Sequence, residues 1–307
     1  MKHLLSIAEL GRGDVEELFR LAGECKARTR TRASATPLAG RSLALVFEKP
    51  SLRTRVTFEV GMAQLGGTAV YLAGKDIGLG TRESIADVAR NLGRWVDAIA
   101  ARTYAQAAVE ELARHAGVPV INALSDQEHP CQALADFFTL WERGLDLGTL
   151  RLAWVGGGNN VLHSLVLLAA LVGAEVAIAC PPGYEPDPSV LAAARGLGGR
   201  LAVTSEVTEA VRGAHAVYTD VWVSMGQEVE RERRLEAFSR YQLNERVLGF
   251  ARPGALAMHC LPAHRGEEIT DAVLDGPQSV VLDQAENRLH VQKAVLLTLL
   301  GAGGVRA

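Results

Sequence analysis

Five short polar segments of this 307-residue chain carry side chains suited to binding small anions and stabilising charge that develops during a reaction. The first is Glu48-Lys49-Pro50-Ser51-Leu52-Arg53-Thr54-Arg55, between the apolar run Leu43–Phe47 and a stretch of helical periodicity. Ser51 is placed to cap that helix, whose first backbone N–H groups lack partners within the helix. Phosphate binds such a terminus through those N–H groups, reinforced by the helix dipole. Arg53 adds charge-assisted hydrogen bonds and Thr54 a hydroxyl. The plain alternative is a capped helix with scattered surface arginines. Against it, the dipole disfavours cations in a first turn, so Arg53 and Arg55 there call for a compensating anion. Second, Ala101-Arg102-Thr103 follows the apolar run Val96–Ala100 and offers a further guanidinium.

The third segment, Glu128-His129-Pro130-Cys131-Gln132, enters a helix whose apolar face is Leu134, Phe137, Phe138 and Trp141. Proline early in a helix is preorganised and fixes its neighbours. His129 can donate to a carbonyl oxygen and Gln132 can accept from an amide N–H, although a purely structural histidine fits the residue alone equally well. The fourth, Gly156-Gly157-Gly158-Asn159-Asn160, lies between the run Leu150–Val155 and another helix. It is not a dinucleotide fingerprint, because Asn-Asn-Val follows the glycines and no acid ends the next strand at Cys180-Pro181. A glycine turn with amide side chains suits a carboxylate or polar headgroup. The fifth comprises Asp220-Val221-Trp222-Val223-Ser224-Met225-Gly226 and Met258-His259-Cys260-Leu261-Pro262, where Asp220 can pair with an ammonium group.

Other chemistries fit less well. His129, Cys131, His259 and Cys260 are four potential metal ligands, yet no CxxC or HExxH spacing joins them. Adjacent residues of an extended segment point to opposite sides, so His259 and Cys260 are not expected to share one ion. A cysteine nucleophile paired with a histidine leaves the arginines unexplained. The reading therefore calls for no metal and no organic cofactor. With 32 basic against 35 acidic side chains, the net charge of -3 argues against nucleic acid as the main partner. Four scattered cysteines do not make a disulfide framework. The N-terminus lacks a secretion signal and no apolar run is long enough to span a bilayer, so a cytoplasmic protein without membrane contact is expected.

Strand-like runs at 43–47, 68–72, 96–100 and 118–121 alternate with helical stretches at 54–65, 84–92 and 105–115, behind an opening helix over 14–26. The basic KARTRTRAS stretch after it reads as a helix end and loop. The same alternation resumes with strands expected at 150–155, 175–179, 216–219, 255–259 and 280–282 and helices at 162–171 and 189–196. Such alternation implies parallel sheets covered on both faces. The expected fold is α/β, with two similar lobes, each a parallel sheet flanked by helices. The glycine-marked turn GLDLG places the boundary near 145, giving domains 1–145 and 146–307. In an open parallel sheet, ligands sit at the carboxyl ends of the strands, where these five segments fall.

Taken together, the segments resemble the transcarbamoylase family, in particular its ornithine-using branch. SLRTR at 51–55 looks like the family's carbamoyl phosphate signature, and HPCQ at 129–132, DVWVSMG at 220–226 and HCLP at 259–262 look like its others. The likeness runs from the first helix to AENRLHVQKAV at 285–295. It implies that the first domain binds carbamoyl phosphate through Ser51, Leu52, Arg53, Thr54, Arg102, His129, Gln132, Cys260, Leu261 and Arg288. It implies ornithine binding by Asn160, Asp220, Ser224 and Met225 in the second domain, and a catalytic set of Arg53, Thr54, Arg102, His129 and Cys260. The products would be citrulline and phosphate, as in arginine metabolism. The last helix, about 286–300, would return to the first domain, and the assembly would be a homotrimer or a multiple of trimers. Two departures stand out. Gly157 occupies a place where relatives often carry Asp, and Gly78 stands where some carry a side chain that reaches a neighbouring subunit's phosphate. The second leaves Thr81 or Arg82 to compensate.

Overall fold

Nine short strands, all paired in parallel, form two sheets in the computed structural model, which describes residues 1–31, 35–224, 226 and 228–301. The chain divides into two compact units, Met1–Phe138 with Glu286–Ala307, and Thr139–Ala285. In the first unit β1 (Ser42–Phe47), β2 (Thr68–Ala73), β3 (Ala98–Arg102) and β4 (Val120–Leu124) take the order β2-β1-β3-β4. Every residue from Leu43 to Phe47 and from Ala98 to Arg102 is buried. That burial explains why these strands read as continuous apolar runs rather than alternating ones. Ala44, Val46, Ile99 and Ala101 pack with Val88, Leu92, Val109 and Leu112 from the helices Ile85–Trp95 and Gln106–Ala116.

In the second unit β5 (Arg151–Val155), β6 (Glu175–Ala179), β7 (Arg200–Thr204), β8 (Ala216–Thr219) and β9 (Leu256–His259) take the order β7-β6-β5-β8-β9. Both sheets contain a place where the strand order reverses direction. In the first it lies between β1 and β3, where Phe47 pairs with Arg102. In the second it lies between β5 and β8, where Val155 pairs with Thr219. Chains leaving these strands at their carboxyl ends diverge to opposite sides and open a crevice, which is where ligands bind in such sheets. The polar segments after β1, β3, β5 and β8 all begin there.

The two-lobed parallel α/β architecture agrees with the sequence expectation, with local corrections. Val280–Leu282, expected as a strand, opens the terminal helix Val281–Leu299; a three-residue apolar run has no period to tell the two apart. The strand β7 was not foreseen, because as the edge of its sheet it buries little and its RLAVT sequence is mixed. The basic stretch after Lys26 is helical through Thr31, within the single helix Arg12–Thr31. From Glu286 onward the terminal helix packs on the first unit. Lys26 Nζ donates to Asn287 Oδ1 at 2.8 Å, and Lys293 Nζ donates to Thr29 Oγ1 at 2.8 Å and Gln64 Oε1 at 2.9 Å. Among the described residues, no helix is long and apolar enough to cross a membrane.

One close approach tests this packing. A Cβ added at Gly93 would lie 1.7 Å from the carbonyl oxygen of Ala116, where the helices Ile85–Trp95 and Gln106–Ala116 meet. Backbone, unlike a side-chain tip, cannot swing aside. Gly93→Ala should therefore destabilise the protein by about 1–3 kcal/mol or more, as overpacking does. Thermal unfolding followed by circular dichroism should show a clear drop in Tm, and an unchanged Tm would refute the contact.

Candidate functional site

The chemistry-bearing residues form two clusters, one in each unit. In the first, Ser51 has an extended backbone (φ -158°, ψ 122°), and its hydroxyl accepts from the Thr54 N–H at 3.2 Å. It is the N-cap of the helix Leu52–Gln64, whose first turn holds no acidic residue. Thr54 is buried and its hydroxyl oxygen accepts from Arg288 Nη2 at 3.0 Å. Arg288, itself buried, also donates through Nη1 to Gln132 Oε1, while Gln132 Nε2 donates to Asp136 Oδ1 at 2.8 Å. The amide of Gln132 is thereby oriented, oxygen toward the guanidinium and nitrogen toward the carboxylate. Three segments far apart in sequence thus share one polar chain.

Arg102 ends β3 and is buried beside the exit of β1, where the Glu48 N–H donates to its carbonyl oxygen at 2.9 Å. His129 is fully enclosed. Burial pushes its pKa well below the ordinary imidazole value, and the positive charges of Arg288, Arg102 and Arg53 push it further down. The imidazole is therefore neutral at physiological pH, able to donate one hydrogen bond without adding charge. Lys49 lies 4.6 Å above the Tyr104 ring, and its pKa is lowered by burial and by Arg102. Arg55 belongs elsewhere, contrary to its pairing with Arg53 in the sequence reading. It bonds Glu59 at 3.0 Å and stacks 3.8 Å over the ring of Tyr71. At one residue per 100° of helix turn, residues 53 and 55 cannot face the same way.

In the second cluster, Asp220 follows β8 and is buried. Its carboxylate accepts from Asn159 Nδ2 at 2.7 Å, from the Val221 N–H at 2.8 Å and from the Cys260 thiol at 3.0 Å. Asn159 also caps the helix Asn160–Val172, its Oδ1 accepting from Val161 and Leu162 N–H at 3.0 Å each. Asn160 starts that helix and is partly exposed, as is Ser224. Met225 lies outside the described residues. The glycine turn also has a steric reason: a Cβ at Gly158 would lie 2.4 Å from Pro186, and one at Gly157 would lie 2.8 Å from the Phe238 ring. The absence of a side chain at 157 is therefore matched by an aromatic ring on the helix Arg231–Phe238.

The HCLP segment is held from behind. His259 Nδ1 accepts from the Leu261 N–H at 2.8 Å, so the proton sits on Nε2, which donates to Glu268 Oε1 at 3.1 Å. Leu261 takes φ 58°, a left-handed conformation rare for a side chain of its kind, and the Leu261–Pro262 peptide is cis. Donor atoms of Asp220, His259 and Cys260 lie within 4.8 Å of one another, which corrects the expectation that neighbours 259 and 260 point apart. Both ring nitrogens of His259 are already engaged, however, so a metal there would have to displace one hydrogen bond. Glu268 carries no signal in the sequence, because its relevance arises only from the chain reversal that brings it beside His259.

Comparison with known proteins places the whole chain. The model of the aspartate/ornithine carbamoyltransferase carbamoyl-P binding domain matches residues 2–142, and that of the Asp/Orn binding domain matches residues 149–299. An ornithine carbamoyltransferase of Methanoculleus marisnigri is 53% identical over 302 residues, covering 98% of each chain. The solved ornithine carbamoyltransferase of Pyrococcus furiosus superposes with a TM-score of 0.95 at 47% identity, over 99% of this chain and 98% of that one. That of Thermus thermophilus gives 0.89 at 51% identity, over 98% and 99%. By sequence over nearly its whole length and by fold, this chain belongs to the aspartate/ornithine carbamoyltransferase family.

Proposed function

We propose that this enzyme transfers the carbamoyl group of carbamoyl phosphate to the δ-amine of L-ornithine, giving L-citrulline and phosphate. The observation that carries the reading is the buried chain Thr54–Arg288–Gln132 behind the Ser51-capped helix start, with Arg53 in the first turn of that helix and Arg102 buried at the end of β3. Three cations with a capped helix terminus make a receptor for a compact dianion. Ser51, the Leu52 N–H, Arg53, Thr54 and Arg102 hold the phosphate. Thr54, Arg102 and His129 face the carbamoyl oxygen. Gln132 Oε1 and the carbonyls of Cys260 and Leu261 accept from the carbamoyl amino group, and Arg288 stands on the leaving side. The first unit is thus the donor domain.

The second unit presents the acceptor. Asn160, Ser224 and the Met225 backbone orient the α-carboxylate and α-ammonium, with Asp220 pairing the ammonium. Asp220 accepts hydrogen bonds on both oxygens, so its carboxylate is oriented, and it favours an amino acid with an extra amine over one with an extra carboxylate. Cys260 lies beside it, near the attacking nitrogen. In the reaction the neutral δ-amine adds to the carbamoyl carbon, negative charge grows on its oxygen, and the bond to phosphate breaks. Fixed donors aimed at that oxygen supply the main stabilisation. The departing phosphate takes up the proton that the amine loses.

The assembly is a homotrimer in this reading. Leu52, Val56 and Val60 recur every four residues along the helix Leu52–Gln64 and are exposed, as is Val70 on the edge strand β2. A second copy of the chain covers this apolar face. Gly78 takes φ 56°, and a Cβ there would meet Arg82 Cβ at 2.7 Å, so the loop is built around its absence. Thr81 is committed to the Gly78 carbonyl at 3.0 Å, which leaves the exposed Arg82 to reach a neighbour's phosphate. No disulfide joins the four cysteines, in keeping with a cytoplasmic setting.

Phosphate release from carbamoyl phosphate should require ornithine, and should not be supported by N-acetylornithine, aspartate or putrescine. Arg53→Ala and Arg102→Ala should each cost about 3–4 kcal/mol of transition-state stabilisation. Wild-type rates in either variant would end the assignment. Cys260→Ala should raise the ornithine KM or lower kcat while leaving Tm nearly unchanged; unaltered acceptor kinetics would remove Cys260 from the site. Sedimentation equilibrium should give three times the chain mass, and Val56→Glu should dissociate the trimer. A monomeric wild type would contradict the subunit reading.

A further inference from the structure

Glu128 precedes His129, is buried, and takes no part in the chemistry described above. Its carboxylate accepts from the Ser6 hydroxyl through Oε1 and from the Ile7 N–H at 3.0 Å through Oε2. These donors lie more than 120 residues away, in the N-terminal segment. That segment is itself anchored. The Leu4 N–H donates to the Val120 carbonyl at 2.9 Å, and the Asn122 N–H donates to the Leu4 carbonyl at 2.7 Å, so it runs along β4. Asn122 Nδ2 donates to the Leu5 carbonyl at 3.0 Å and to Gln106 Oε1 at 3.0 Å. Leu4 and Ile7 are wholly buried.

The turn between β4 and the helix Pro130–Glu142 is closed by Ser125. Its N–H donates to the Glu128 carbonyl at 2.9 Å, and its hydroxyl oxygen accepts from Gln127 and Glu128 N–H at 3.3 and 3.1 Å. The same hydroxyl donates to Gln106 Oε1 at 2.6 Å. On its other side, His129 is fixed because its carbonyl accepts from Gln132 and Ala133 N–H at 3.0 and 3.2 Å. The Glu128 side chain ties the intervening turn to the N-terminal segment, which is bonded to the sheet. We propose that Glu128 is a positioning residue for His129, and that Leu4–Ile7 is thereby part of the scaffold of the donor cluster.

The chemistry of the contact favours positioning over mere filling of space. A buried carboxylate is held in place by hydrogen bonds that it cannot lose cheaply. Here both its oxygens are directed, which fixes the orientation of the whole Glu128 side chain and of the peptide leading into His129. Displacing a catalytic group by about 1 Å costs on the order of 100-fold in rate. The inference relies on the carbamoyl-transfer reading for its kinetic readout, but the position of the imidazole can be read without turnover.

Glu128→Ala should lower kcat by at least about 10-fold, assayed well below its Tm, with a smaller change in the carbamoyl phosphate KM. Glu128→Gln should restore most of the rate, because its amide oxygen can accept from Ile7 N–H while its NH2 donates to the Ser6 hydroxyl oxygen. In 15N-histidine NMR, with the His129 signals assigned through His129→Gln, those signals should shift in Glu128→Ala and return in Glu128→Gln. If Glu128→Ala does not fold, Ser6→Ala carries the test: it removes one hydroxyl and should give a smaller kcat loss with a His129 shift in the same direction. A variant lacking the carboxylate or the hydroxyl that loses Tm but keeps kcat and the His129 signals would overturn the proposal. A wild-type protein inactive with ornithine would instead refute carbamoyl transfer, and the NMR comparison would still decide the positioning role.

Discussion

Positive charge gathered and held still is the constraint on which the first unit is built. Arg288 reaches the side-chain oxygens of Thr54 and Gln132, and these two contacts fix the orientation of the guanidinium. Where the terminal helix docks, Lys26 meets an asparagine oxygen at 2.8 Å and the Glu286 carboxylate at 3.7 Å, while Lys293 meets a threonine and a glutamine. Burying a cation against neutral partners is unfavourable unless an anion completes the arrangement. Around His129, the cost appears as a depressed imidazole pKa, since the histidine avoids adding a further positive charge. A ligand carrying two negative charges relieves that field, whereas a neutral one does not.

The second unit has the opposite polarity and the same logic. Asp220 accepts from an amide, a thiol and a backbone N–H, none of which is cationic. Those three donors fix the orientation of its carboxylate. In both units the charged residue sits where parallel strands diverge, after β3 beside β1 and after β8 beside β5. The topology therefore supplies equivalent crevices, and the sign of the residue placed at each determines which ligand it attracts.

Local chemistry was legible in the sequence; the partners of that chemistry were not. Ser51 as a helix cap followed from residue type and the periodicity behind it, and it caps as expected. The runs from Leu43 to Phe47 and from Val176 to Ala179, within the strand expected over 175–179, are readable because complete burial leaves an unbroken apolar signature. By contrast, β7 buries little at its sheet edge, and Val280–Leu282 is too short to have a period. The bond from Arg288 to Gln132 spans 156 residues and depends on how the terminal helix returns, which no local pattern encodes. Arg55 was misjudged for a related reason: composition suggested a cluster, but helical geometry turns it toward Glu59 and Tyr71.

The loops differ in how they tolerate change, and this bears on where specificity can evolve. The first cluster is assembled largely from buried side chains, Thr54, Arg102, His129, Gln132 and Arg288, so altering any of these disturbs core packing. The second cluster instead draws on turns after β5, β8 and β9, including the exposed Gly226. Its backbone is constrained at a few points, notably Gly158 against Pro186 and Leu261 in a left-handed conformation. Between those points, side chains can be exchanged without moving the sheet. A family that keeps one activated donor and varies the amine would be expected to diversify here, because the charge and shape of these turns can change at little cost in folding energy.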